Sequence, residues 1–168
     1  MRWTPKIYLD SNIVSAIAKD DTPTESEALN RLLQAWDDKK VDLVTSEVTL
    51  WEINAYQDEL KRRFVERTYR RLAKAQIIRW YELAGMHSYG DRHTWISTPI
   101  IQKDPAYEAL LALGLQVVDA QHVFVAVKQK CNVFLTCGGG VRDRAAAIKD
   151  QFELIVQKPS EFVASQGW

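Results

Sequence analysis

The amino-acid sequence predicts an α/β protein of three layers, α/β/α, around a central and mostly parallel sheet. Three observations predict it. Four short apolar runs, at 7–9, 41–45, 133–135 and 152–156, are bounded by turn and cap residues and read as buried strands. Helical patterns separate them, and strand–helix alternation implies right-handed crossovers between parallel strands. The chain has 168 residues, 46% hydrophobic and 26% charged, which suits one globular domain, 1–168, with its own core.

Each element has a local reason. Ile7-Tyr8-Leu9 is a strand that stops at Asp10, and Ser11 or Asn12 can cap a short helix through Ile13, Ile17 and Ala18. Asp20 to Pro23 is a turn. Thr24 and Glu27 have capping-box spacing and open a helix. Its apolar stripe is Ala28, Leu32, Ala35 and Trp36, with Leu29 and Leu33 beside it. Val41 to Thr45 is the second strand, and Ser46 is a candidate cap for a helix from Glu47 that sets Leu50, Ile53 and Asn54 near one face. Residues 58–75 form a charged amphipathic helix with seven lysines and arginines. Ile77 to Trp80 is either a strand or the end of that helix.

Residues 85–105 hold two glycines, two prolines and two of the three histidines, without a clean period. They read as a loop-rich insertion, with a short strand at 94–97. Loops of such length are usually functional or disordered. Ala106 to Leu113 is a helix closed by Gly114. Asp119 opens an apolar helix that runs to Lys130. After the strand Val133-Phe134-Leu135, Gly138-Gly139-Gly140 is a pliable turn and Arg142 to Asp150 a helix. Phe152 to Val156 is the fourth strand, and Pro159 starts a last helix over 159–165.

Composition excludes several classes. Lys plus Arg and Asp plus Glu are 22 each, so the net charge is zero and a histone-like, strongly basic mode of binding is excluded, though not a local basic face. Cys131 and Cys137 have no companion pair, which argues against a cysteine-built zinc site and against a secreted disulfide scaffold. There is no signal-peptide pattern, and no apolar stretch approaches the ~20 residues that span a bilayer. The expectation is a soluble, cytoplasmic protein without a membrane partner.

Ligand sites in parallel sheets form at the carboxyl ends of strands. Asp10, Ser46 and Thr136 sit at such ends, Glu52 follows in the helix after Ser46, and Asp119 opens an otherwise apolar helix. Acids on buried elements are costly unless paired or metal-bound. If Asp10, Glu52 and Asp119 converge, they make a hard-oxygen site for Mg²⁺ or Mn²⁺. Taken singly, Asp10 also fits a capping turn, Glu52 a solvated helix position and Asp119 an N-cap. His122, one turn from Asp119, reads as a packed core histidine more readily than as a ligand.

The order of these residues resembles the PIN-domain ribonucleases, including the toxin halves of VapBC-type toxin–antitoxin pairs. The resemblance rests on Ile7-Tyr8-Leu9-Asp10-Ser11-Asn12, on Ser46 followed by Glu52, on Gly114-Leu115 through Asp119-Ala120-Gln121-His122, and on Asn132-Val133-Phe134-Leu135-Thr136. The tail from Phe152 to Phe162 is also similar. The resemblance implies a PIN-like fold and a metal-dependent endoribonuclease in which Asp10, Glu52 and Asp119 bind Mg²⁺ or Mn²⁺ for hydrolysis of an RNA phosphodiester. It implies that Asn12, Ser46 and Thr136 orient water or phosphate, directly or through a neighbour. It also implies an antitoxin partner and a homodimer.

One departure stands out. Many members carry a fourth acid where this chain has Gly138. Asp143 can swing back toward the site, or can serve as a helix N-terminal acid. The absence of that acid motivates an alternative, a non-catalytic PIN fold that binds RNA or a protein. Arg63, Arg67, Arg70 and Arg71 form a stripe that either follows an RNA backbone or is a solvated face balanced by Asp58, Glu59 and Glu66. Trp80, Tyr81, Tyr89 and Trp95 are candidates for base stacking, and His87 and His93 for substrate contact. A haloacid-dehalogenase-like phosphatase also begins with a strand and an Asp, but needs a second Asp where Asn12 stands.

Overall fold

The computed structural model describes residues 4–19, 23–72, 76–78 and 104–168. Its sheet is parallel throughout: β1 (Lys6–Leu9), β2 (Asp42–Ser46), β3 (Gln76–Ile78), β4 (Val133–Leu135) and β5 (Ile155–Gln157), in the order β3-β2-β1-β4-β5. The helices are α1 (Ser11–Lys19), α2 (Pro23–Asp37), α3 (Glu47–Asn54), α4 (Glu59–Leu72), α5 (Pro105–Ala112), α6 (Val117–Lys128), α7 (Gly139–Arg142), α8 (Ala145–Phe152) and α9 (Pro159–Ser165). This is the α/β fold with a parallel central sheet that the sequence predicts.

The two-residue period of a strand builds both outer layers. Ile7 and Leu9 of β1 face Ile13, Leu29, Leu32 and Phe162 on one side of the sheet. Tyr8 between them faces Leu110, Val123, Phe124 and Ile148 on the other. β1 therefore lies at the centre, and the chain leaves it toward β2 on one flank and returns as β4 on the other. Ligand crevices form at such switch points, outside the strands' carboxyl ends.

Several boundaries differ from the sequence reading, each for a local reason. Ser46 has the extended backbone of an N-cap, but makes no side-chain cap bond, because its hydroxyl is 2.6 Å from Tyr8 Oη. The helix expected from Asp119 begins two residues earlier, so Asp119 lies in its first turn rather than at its cap. Gly139 and Gly140 are helical, not a free turn, and the helix expected over 142–150 is split into α7 and α8 around Asp143 and Arg144. Phe152 ends α8, and Glu153 turns the chain in a left-handed conformation (φ 57°), so β5 starts at Ile155 rather than at 152. Gln76 to Ile78 is a strand, which resolves the ambiguity at 77–80 for the residues described. Thr24's side chain, the insertion from 85 to 103 with its strand at 94–97, and Trp80, Tyr81, Tyr89, Trp95, His87 and His93 lie outside what is described, whereas Asp104 and Pro105, expected in the insertion, cap and open α5.

Gly114 follows the end of α5 at φ +78°, a conformation that suits a residue without Cβ. Among the described residues no helix is long and apolar enough to cross a membrane.

Candidate metal centre

The centre is built at the ends of β1, β2 and β4. Asp10 follows the last residue of β1, and the next turn folds back on it. Its Oδ1 accepts from the Ser11 backbone N–H at 2.7 Å. Its Oδ2 accepts from Asn12 Nδ2 and from Thr136 Oγ1, both at 2.7 Å. Thr136 Oγ1 in turn accepts from Asn12 Nδ2 (2.8 Å) and from the Gly138 N–H (2.9 Å), and Asn12 Oδ1 accepts from the Cys137 N–H (3.0 Å). The chain ends after β1 and β4 are thus sewn together by three side chains, which fix a buried carboxylate without a countercharge of its own.

Glu52 reaches the crevice from α3, half-buried. Its Oε2 lies 2.7 Å from His122 Nε2. Burial pushes the Glu52 carboxyl up, but hydrogen bonds from His122 and Ser11, with the field of His122, outweigh it and leave the group below the usual glutamate range. His122 is the residue whose part the sequence concealed. It is 1% exposed, as a core histidine would be. Yet Nε2 faces Glu52 and lies 3.7 Å from Asp10 Oδ1, while Nδ1 is 2.8 Å from Tyr8 Oη. Tyr8 reaches Ser46 Oγ in turn, giving a buried chain Ser46–Tyr8–His122–Glu52. Ligand atoms of Asp10, Glu52 and His122 all lie within 4.8 Å of one another.

Asp119 is one helical turn from His122 on α6. It accepts no hydrogen bond among the described residues. Burial and then the negative charge of Asp10 hold its carboxyl above the usual aspartate range, with Glu52 adding to the effect and His122 and Arg144 opposing it. The backbone of α7 crowds it from the other side: a Cβ on Gly140 would stand 2.7 Å from Asp119 Oδ2. Arg144 braces this wall by donating to the carbonyls of Leu113 (3.2 Å) and Gly140 (3.4 Å).

The remaining candidates fall in different places. Thr136 and Asn12 touch Asp10 directly, whereas Ser46 is fully buried behind Tyr8. Gly138 sits beside the centre: a Cβ there would meet Asn12 Nδ2 at 3.2 Å and Thr136 Oγ1 at 3.3 Å. Asp143 is exposed, with Arg144 at 3.9 Å, and neither it nor Asp119 is among the grouped ligand atoms, where His122 stands with Asp10 and Glu52 instead. On α4, Val65 and Tyr69 are buried while Arg63, Arg67 and Arg70 point outward. Arg63 and Arg70 pair with Glu59 and Glu66, and Arg67 has no ion pair among the described residues. Arg71's side chain lies outside those described.

Buried and half-buried acids that repel one another, one of them without a donor, together with an imidazole, fit a divalent cation better than they fit one another. Tyr8 was not singled out by the sequence, and His122 was weighed there as a ligand but read more readily as core. The signals were an aromatic hydroxyl inside a buried strand and a histidine three residues after an acid on an apolar helix.

No family model and no curated protein matches the chain. A chain in the crystal structure of VapBC2 from Rickettsia felis, bound to a DNA fragment from their promoter, shares its fold at a TM-score of 0.50 and 13% identity, covering 91% of this chain and 98% of that one. At that identity the likeness speaks for the fold.

Proposed function

We propose that this protein is a divalent-cation-dependent endoribonuclease of the PIN type, acting as the toxin of a toxin–antitoxin pair. The observation that carries the reading is the grouping of Asp10, Glu52 and His122 within 4.8 Å at the carboxyl ends of the central strands, with Asp119 near enough to feel the charges of Asp10 and Glu52. The structural likeness to a VapBC2 chain supports both the fold and the kind of partner. We assign Asp10, Glu52 and Asp119 as the acids that hold Mg²⁺ or Mn²⁺. When bound, such a cation supplies an acidified water and neutralises charge on a phosphate.

The chain's own residues do the rest. Thr136 and Asn12 fix Asp10 so that it does not reorganise when substrate arrives. The amide protons of Asn12 are already engaged with Asp10 and Thr136, and the hydroxyl proton of Thr136 with Asp10, so these two residues orient water or phosphate through Asp10 rather than by donating to it. Ser46 acts through Tyr8, and Asp143 is kept as an outer acid. Arg67, with Arg63, Arg70 and Arg71, provides positive charge for an RNA backbone. The proposed setting is a single cytoplasmic domain that meets RNA, an antitoxin and a second copy of itself.

The test is cleavage of single-stranded RNA in Mn²⁺ by the intact protein and by Asp119→Asn. Cleavage by the former, reduced at least about a hundredfold in the latter, is the expected result. Equal cleavage by both would overturn the assignment. Gly138 favours a second reading, a PIN-like fold that binds RNA or protein without cutting, and absence of cleavage with tight RNA binding would support it.

A further inference from the structure

We infer that His122 Nε2 is a ligand of the cation, so that the centre is a mixed nitrogen–oxygen site that favours a transition-series divalent ion such as Mn²⁺ over Mg²⁺ more than an all-oxygen site would. The inference rests on the proposed cation site and goes beyond its acids. Three features of the structure carry it. First, Nε2 points into the group of carboxylates rather than away from it, 2.7 Å from Glu52 Oε2 and 3.7 Å from Asp10 Oδ1. Adjacent ligands of a small cation, each about 2.1 Å from it, stand about 3 Å apart, so these donors need only small shifts to share one ion.

Second, the far side of the ring is prepared. A ligating histidine almost always donates its other ring N–H to a fixed acceptor. Tyr8 Oη stands 2.8 Å from Nδ1 and can accept that proton while passing its own to Ser46 Oγ at 2.6 Å. The Tyr8 ring is itself clamped, stacked on Phe134 with centroids 5.2 Å apart. Ser46 thus gives up its ordinary helix-capping bond to sit at the end of this chain. Third, Nε2 and Glu52 Oε2 lie 2.7 Å apart, bridged when Nε2 carries the ring proton; with that proton moved to Nδ1, which has Tyr8 Oη as its acceptor, both atoms are free to share a cation.

Imidazole nitrogen shifts a site's preference from Mg²⁺, which favours oxygen and water, toward transition-series ions. His122 is in that case a ligand, and Tyr8 and Ser46 are positioning residues that act through it.

The test is pulsed electron paramagnetic resonance of the full chain loaded with Mn²⁺, which reports a directly coordinated imidazole through its nitrogen modulation and needs no turnover. Expected are bound Mn²⁺ with that modulation, its loss in His122→Gln, and a ratio of Mn²⁺ to Mg²⁺ affinity about tenfold lower in that variant. Tyr8→Phe should keep the modulation and weaken Mn²⁺ binding about tenfold. Because His122→Gln can fail to fold, the wild-type spectrum decides. Bound Mn²⁺ without the modulation overturns the inference and leaves the acid site standing. No bound Mn²⁺ overturns both.

Discussion

Asp10 and Asp119 face the same crevice from different layers. Asp10 is 4% exposed, and its two oxygens accept from a backbone N–H, an amide and a hydroxyl at 2.7 Å each. Asp119 is half-buried, accepts no hydrogen bond among the described residues, and feels the charges of Asp10 and Glu52. The first is a structural carboxylate as well as a candidate ligand, because the turn after β1 and the end of β4 depend on it. The second costs the empty fold something, a cost that a cation bound as proposed would offset. A site of this kind divides its work: one wall is fixed by folding, the other is completed by the ligand.

The largest expected effect separates the two acids. Asp10→Ala leaves Thr136, Asn12 and the Ser11 N–H without their acceptor and should destabilise by about 3 kcal/mol in urea unfolding. Asp119→Asn should leave the cation-free protein unchanged or raise its Tm by about 2 °C, since like-charge repulsion is relieved at a half-exposed site. Equal losses in both would erase the contrast. Thr136→Val comes next. It preserves shape but removes the hydroxyl that serves Asp10, Asn12 and Gly138 N–H, and about 2 kcal/mol should be lost.

The same contrast appears in pH dependence. The Asp119 carboxyl is raised above its ordinary range, so across that window the native state holds a proton that the unfolded chain has released. Its contribution to stability falls as pH rises through the window. Glu52 is lowered, so its contribution is present above the ordinary glutamate range and is lost as pH falls through its folded value. Urea unfolding of the cation-free protein at several acidic pH values should therefore show a slope that changes in opposite directions in Asp119→Asn and Glu52→Gln. The same direction in both would contradict the charge assignment.

The smallest effects test the glycines. Gly140→Ala puts a Cβ against Asp119 Oδ2, and Mn²⁺ affinity should fall about tenfold while the fold is kept. Gly138→Asp has a backbone (φ −71°, ψ 136°) that any residue can adopt, but its Cβ is tight against Asn12 and Thr136. A gain in Mn²⁺ affinity of about threefold is expected from the added charge, partly offset by that crowding.

Four of the five strands, and the place of Asp10 at the end of the first, were legible because they follow from local rules. Ile7-Tyr8-Leu9 and Val133-Phe134-Leu135 are apolar, short and bounded, and each ends on a polar residue that faces the crevice. What was not legible depends on which residue of one strand meets which of another. Ser46 looks like a cap until β1 is placed beside β2, after which Tyr8 captures its hydroxyl. His122 looks like core until α3 brings Glu52 to it. The break of the helix at Asp143 and Arg144 follows from Arg144 reaching back to Leu113 and Gly140, contacts that no sequence period encodes.

The most direct measurement is calorimetric titration of Mn²⁺ into the full chain beside Asp119→Asn. The account predicts a saturable binding event in the intact protein, weakened at least about tenfold in the variant with no loss of thermal stability. Absence of binding to the intact protein, or equal binding by both, would contradict a cation site built on these acids.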